Sequence, residues 1–188
     1  MRIEALLIAL TLLAGGCAMF GNDPRVRSPG TMIDDQVIET MVKREIWNSD
    51  PGFDSSHLVA VSYNGVLLLA GQVESEELRR KAEEIARGLD KVRKVHNELQ
   101  VGGPISMVAR ANDAWLTTKV KTKMLAADEV AGRKVKVVTE NGTVYLMGML
   151  PRAQADAAVE AARSVYGVQK IVKVFEYLDS QEVSATSP

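Results

Sequence analysis

A single thiol stands in 188 residues, at Cys17. Alone it can form neither an internal disulfide nor a redox pair, which leaves the chemistry of one nucleophilic sulfur, thioether formation above all. Its surroundings suit that reaction. The apolar run Leu6-Leu7-Ile8-Ala9-Leu10-Thr11-Leu12-Leu13 leads into Ala14-Gly15-Gly16, and small side chains let a peptidase approach the backbone. Elsewhere no reactive groups converge. His57 and His96 are isolated, no nucleophile–base spacing occurs, and no glycine loop opens a helix for phosphate. Glu76-Glu77 and Glu83-Glu84 fall on the polar face of a helix pattern and read as solvated surface. The expectation is a protein without metal site or catalytic centre. A net charge of −1 with no dense basic stripe also argues against nucleic acid.

The first 16 residues have the layout of a secretory signal: Arg2, an apolar stretch, then small residues. The stretch is shorter than the ~20 residues of a comfortable membrane span. An uncleaved anchor or a buried free cysteine are the alternatives that the residues leave open. The segment resembles a bacterial lipobox, which implies that Cys17 becomes the first residue of the mature chain. There it would carry a diacylglycerol and an N-acyl chain and no other cofactor, since one acyl chain alone anchors only marginally. Ala18, where Asp would retain such a protein at the inner membrane, implies passage to the outer one.

Behind the signal the chain repeats itself. Ser62-Tyr63-Asn64-Gly65-Val66-Leu67-Leu68-Leu69-Ala70-Gly71 returns 77 positions later as Thr139-Glu140-Asn141-Gly142-Thr143-Val144-Tyr145-Leu146-Met147-Gly148. Val92-Arg93-Lys94-Val95 returns as Val168-Gln169-Lys170-Ile171 after one residue fewer. Two copies of one module are expected, not one larger fold. Asn-Gly between β-rich runs predicts a type I′ hairpin in each, over 58–71 and 134–148. Ile38, Val42 and Ile46 recur at spacing four ahead of the first hairpin, as do Leu116, Val120 and Met124 ahead of the second, so each predicts a helix. Asp34 and Asn112 are the expected N-caps. Residues 75–87 and 152–165 predict a second helix in each copy, and 92–101 and 168–177 a last strand. The fold class is α+β: two tandem α-β-β-α-β modules, each a three-stranded sheet packed against two helices.

That order resembles the BON domain, in the glycine ending the second strand (Gly71, Gly148) and in the pairs Val92 with Val95 and Val168 with Ile171. A lipobox followed by two such modules is similar to the dual-BON outer-membrane lipoproteins, with Asn112-Asp113-Ala114-Trp115-Leu116-Thr117-Thr118-Lys119-Val120 a telling run. The expected domains are a signal peptide 1–16, a lipidated flexible tether 17–33, module one 34–101, a linker 102–111, module two 112–178 and a disordered tail 179–188.

Charge separates the copies. Residues 34–101 hold nine Lys or Arg against thirteen Asp or Glu, residues 112–178 ten against seven. Only the second module would be drawn to an anionic surface, at about 1 kcal/mol per basic side chain near anionic lipid. A solvated charged face, or pairing of the modules with each other, would explain the same asymmetry. At about 100° per residue, Leu116, Val120 and Met124 form a core stripe, and Trp115 points about 140° away from its centre. Thr118, Lys119 and Thr122 flank it, with Lys123 and Leu125 near. Tryptophan amid lysines and threonines suits a lipid headgroup zone. Helix geometry alone also allows Trp115 to pack on module one or on the linker. The resemblance favours lipid, since such proteins engage anionic phospholipid through this helix. Module one has Val37 at the same place, without ring or charge, and reads as a spacer or protein-contact unit. Trp47, Met107, Met147 and Met149 are expected to be packing residues.

The expected function is a non-enzymatic lipoprotein on the inner leaflet of the outer membrane, facing the periplasm and supporting envelope integrity, with phosphatidylglycerol or cardiolipin bound by Trp115, Thr118, Lys119, Thr122 and Lys123. An adaptor docking on envelope assembly or division proteins is the competing expectation.

Overall fold

The computed structural model describes residues 28–127 and 129–178. Cys17, the signal 1–16, residues 17–27 and the tail 179–188 lie outside the described residues. The first module runs α1 (Pro29–Ser49), a 3₁₀ turn (Pro51–Phe53), β1 (His57–Tyr63), β2 (Val66–Val73), α2 (Glu76–Arg87) and β3 (Lys94–Val101). The second runs α3 (Met107–Leu125), a 3₁₀ turn (Gly132–Lys134), β4 (Lys136–Glu140), β5 (Thr143–Leu150), α4 (Arg152–Arg163) and β6 (Lys170–Tyr177). Each is the α-β-β-α-β module that the repeat predicts.

Two helices start a turn or more earlier than expected. Asp34 and Asn112 are not N-caps. Ser28 caps α1, its hydroxyl accepting the Thr31 N–H at 3.1 Å, with Pro29 in the first turn. Ser106 caps α3 through the Ala109 N–H at 3.1 Å. A serine oxygen satisfies a first-turn donor that would otherwise be orphaned, and proline loses nothing at that position. Residues 29–33 of the expected tether and 107–111 of the expected linker are therefore helical.

The hairpins follow from Asn-Gly. Asn64 and Gly65 have φ of 53° and 73°, Asn141 and Gly142 of 49° and 71°, the left-handed pair that a type I′ turn demands. Tyr63 then faces Val66, and Glu140 faces Thr143, in antiparallel register. β3 joins β2 in parallel, and β6 joins β5, so the second strand of each module is central in its sheet.

Each central strand is buried on both faces. Leu67, Leu69 and Val73 pack against Ile38, Val42 and Ile46 of α1 and Leu78, Ala82 and Ala86 of α2. Val144, Leu146 and Leu150 do the same against Leu116, Val120 and Met124 of α3 and the small side chains Ala155, Ala158, Val159 and Ala162 of α4. The alternate residues Val66, Leu68 and Ala70 meet Tyr145, Met147 and Val174 in a third core between the two sheets. The molecule is thus four layers, helices outside and sheets back to back. Continuous apolar runs are what a doubly covered strand requires.

Polar contacts close the rim of that interface. The Tyr63 hydroxyl donates to the Lys134 carbonyl at 3.0 Å. Lys136 Nζ reaches Glu39 at 2.8 Å and the Ser62 carbonyl at 3.1 Å, His57 Nε2 stands 3.3 Å from Glu140, and Arg93 pairs with Glu176. Of the two lysine and arginine pairs, module one supplies the anion in one and module two in the other, so these pairs leave the charge difference between the modules as it was. Burial, with help from Glu98 and Glu140, pushes the Tyr145 hydroxyl up to about 12.

Candidate functional site

The helix that opens module two is held by a contact the sequence reading misses. Asp113 is buried, and its two carboxylate oxygens accept the Asn141 and Gly142 N–H groups at 2.8 and 2.9 Å. Asp35 does the same for Asn64 and Gly65 at 2.8 and 2.9 Å, and also accepts the Ser62 hydroxyl at 2.6 Å. An ionised carboxylate on two backbone donors is a strong, directional bond. It ties one edge of α3 to the hairpin and so fixes which face turns outward.

The outward face carries Trp115, which is 59% exposed. Leu116, Val120 and Met124 are buried below it, as the spacing predicts. Lys119 is half-buried, with Nζ 5.4 Å from the centre of the indole ring. That is cation–π distance, and it lays the lysine stem along the tryptophan. Thr118, Thr122 and Lys123 are exposed. The Thr118 hydroxyl donates to the Ala114 carbonyl at 3.1 Å, one turn back, so it is already partnered within the helix. Among the described residues, Lys119, Lys121 and Lys123 pair with no carboxylate. The five expected site residues therefore share one helix, four of them exposed and Lys119 clasped to the ring.

The helical extension adds residues that the linker assignment hid. Met107 and Val108 are 81% and 80% exposed, which corrects the expectation that Met107 packs. Val108 lies seven positions before Trp115, close to the same helical azimuth. With Ala111 and Leu125 the face is an apolar strip one residue wide, bordered by lysines. A surface of this kind suits the boundary between water and hydrocarbon, where an indole and snorkelling lysines both find their partners.

Module one presents a different surface. Ile33, Val37 and Met41 are exposed at the places of Ala111, Trp115 and Lys119. Trp47 is 39% exposed, which overturns the expectation that it packs. It stands at the azimuth of Leu125, outside the stripe of Ile38, Val42 and Ile46. The face is apolar but carries acid at its edge, Asp34 with its partner Lys91 and the exposed Asp90.

Among the described residues no group of His, Cys, Asp or Glu is placed to hold a metal ion. No described helix is long and apolar enough to cross a membrane. His96 is half-buried and its proton affinity is lowered by burial, then by Lys94, against the pull of Glu98.

Comparison with known proteins places these features. A family model described as the BON domain matches residues 34–103 and again 112–179. The chain is 38% identical to the "Outer membrane lipoprotein DolP" of Haemophilus influenzae over 93% of its own length and 95% of that protein's. It is 41% identical to a "21 kDa hemolysin" of Actinobacillus pleuropneumoniae, over 83% of this chain and 79% of that one. The "Osmotically-inducible protein Y" of Escherichia coli is 32% identical over 79% of this chain and 75% of its own.

Proposed function

This chain belongs to the BON-domain family, and we propose that it is a periplasm-facing outer-membrane lipoprotein that binds anionic phospholipid through α3 and supports envelope integrity. The observation that carries the reading is the exposed Trp115 with Lys119 over its ring, on a helix whose Lys121 and Lys123 are exposed and pair with no carboxylate among the described residues. An exposed indole in line with exposed Val108 and Leu125, rimmed by lysines, forms an apolar strip of the kind that marks an interaction surface. Three cations on the same helix select a surface of negative charge.

The membrane assignment draws support from the name of the Haemophilus relative, which covers nearly the whole chain. On this reading Cys17 carries the acyl anchor, and phosphatidylglycerol or cardiolipin meets the α3 face. No catalytic role is part of the proposal.

The test is co-sedimentation of the unlipidated two-module chain with vesicles. Retention on anionic but not on zwitterionic vesicles is expected, with loss in Trp115→Ala and in Lys119→Glu. Equal retention of variants and wild type would overturn the reading. A protein-contact role for module one has its own observation in Ile33, Val37, Met41 and Trp47, an exposed apolar stripe with Met41 and Glu45 at the places of Lys119 and Lys123. Chemical cross-linking from α1 in whole envelopes would reveal such a partner, and the two roles are compatible.

A further inference from the structure

The turn that follows α4 carries the most exposed aromatic side chain among the described residues: Tyr166, 93% exposed. We propose that Tyr166 is a second membrane anchor, which rests on the lipid reading of α3 and adds a second element to the same surface.

Its place follows from two observations. The first is direct. A Cβ built on Gly167 would lie 3.5 Å from Leu116 Cδ1, so the turn abuts α3 one residue along from Trp115. The second comes from the repeat. The turn 88–91 and the turn 164–167 each open directly after their helix and are closed by the same backbone bond, Val92 N–H to Leu89 at 2.9 Å and Val168 N–H to Val165 at 3.3 Å, and they differ at their last residue, where Gly167 has φ of +106° and Lys91 no positive φ. In module one that turn flanks α1: Asp90, Lys91 and Leu89 line a cavity with Val37, Ile38 and Met41, and Lys91 Nζ bonds Asp34 at 2.6 Å. The corresponding residues of module two are Tyr166 on the turn and Trp115, Leu116 and Lys119 on the helix. Tyr166 therefore stands at the flank of α3 on which Lys119 lies.

The two modules differ at the three positions that matter. Val37, Met41 and Asp90 in the first become Trp115, Lys119 and Tyr166 in the second. A carboxylate at the flank would repel an anionic bilayer. A tyrosine there places a ring in the headgroup zone with its hydroxyl wet, as aromatic belts do. Two amphipathic rings bracketing a lysine, borne on two separate elements, define a plane where a single helix defines only a line. Exposure of this extent also leaves Tyr166 with little part in the core, so the ring has no evident folding role.

The experiment compares full two-module chains carrying Tyr166→Asp, the residue of module one, and Tyr166→Trp, on phosphatidylglycerol–phosphatidylcholine vesicles. Both variants should unfold at the wild-type midpoint. Tyr166→Asp should bind about tenfold more weakly, from one added negative charge and one lost ring, and Tyr166→Trp as tightly as wild type or tighter. Equal binding by Tyr166→Asp and wild type, while Trp115→Ala loses binding, would overturn this inference and leave the α3 reading standing. Weakening by Tyr166→Trp to the level of Tyr166→Asp would also overturn it, since turn shape would then matter and not the ring. If the wild type itself is not retained, both readings fall.

Discussion

Asp113 and Gly142 are 29 positions apart, and the carboxylate of one holds the backbone N–H of the other at 2.9 Å inside the protein. Asp35 and Gly65 repeat the bond at 2.9 Å. Helix and hairpin are thus locked together in both modules by the same pair of groups. Asp113→Asn keeps the size but turns an amide N–H₂ toward a backbone donor, leaving one buried N–H unpaired. A loss of about 1–3 kcal/mol is expected, read as a lower urea midpoint at unchanged slope. An unmoved midpoint would show that the bond contributes nothing net.

Gly71 has φ of +113°, and a Cβ there would sit 1.9 Å from the His57 carbonyl oxygen. Gly148, its counterpart, lacks the positive φ and would meet the Lys134 oxygen at 2.8 Å. Gly71→Ala should cost about 3 kcal/mol or more through strain and backbone clash together, and Gly148→Ala less. Thermal melts of the two variants rank them; the reverse order would contradict the geometry.

Leu68 and Met147 are fully buried between the sheets and touch neither module's own helical core. Truncating either to alanine should cost about 2–5 kcal/mol, as for any large-to-small change in a closed core. In a double-mutant cycle the pair should couple, because they share one interface. If the modules swung free in solution, both side chains would lie on open sheet faces, and each truncation would cost under about 0.5 kcal/mol.

His96 binds its proton less readily in the folded chain than in the unfolded one, because burial disfavours the charged form and Lys94 adds to the effect. The unfolded state therefore takes up more protons below about pH 6.5, so stability is intact above that value and falls as pH drops through the folded one. His96→Gln should flatten that decline. Urea midpoints of both chains at about pH 7.5 and about pH 5.5 measure it, and parallel declines would remove His96 from the account.

Lys123 is exposed on α3 and pairs with no described carboxylate. Lys123→Glu should weaken retention on anionic vesicles by about tenfold or more, from two units of charge at about 1 kcal/mol each. Raising salt from about 0.05 M to about 0.5 M should weaken the wild type more steeply than the variant. Salt-independent retention would point to apolar insertion alone.

Much of this was legible in the residues, for reasons that can be named. Asn-Gly allows few turns, so both hairpins and their register followed from two dipeptides. Spacing four in Leu116, Val120 and Met124 set the core side of α3, and subtraction left Trp115 outside. Local rules served less well at Ser28 and Ser106, because the turns they open lack the buried residues that make periodicity visible. Trp47 was misplaced by trusting an average burial over its own azimuth. The Asp35 and Asp113 clamps recur 78 positions apart, beside turns that recur at 77, so the repeat held that signal without its meaning. Back-to-back sheets were foreshadowed by Val66-Leu67-Leu68-Leu69-Ala70, an apolar run with no polar face to leave open. Tyr166 gave no sign, since the approach of its turn to α3, at Gly167 and Leu116, spans about fifty residues of chain.

The four-layer build also sets a length problem for any mooring at Cys17. α1, where the described chain begins, and α3 occupy opposite outer layers, with both sheets between. At about 10 Å per layer, the α1 layer stands about 30 Å beyond the α3 layer. Eleven peptide steps separate Cys17 from Ser28, and fully drawn out they reach about 40 Å. On the proposed reading, with an acyl anchor at Cys17 and α3 on the same leaflet, a reach of about 40 Å exceeds the roughly 30 Å to be crossed, so anchor and helix can engage one surface at once while α1 turns its apolar face the other way.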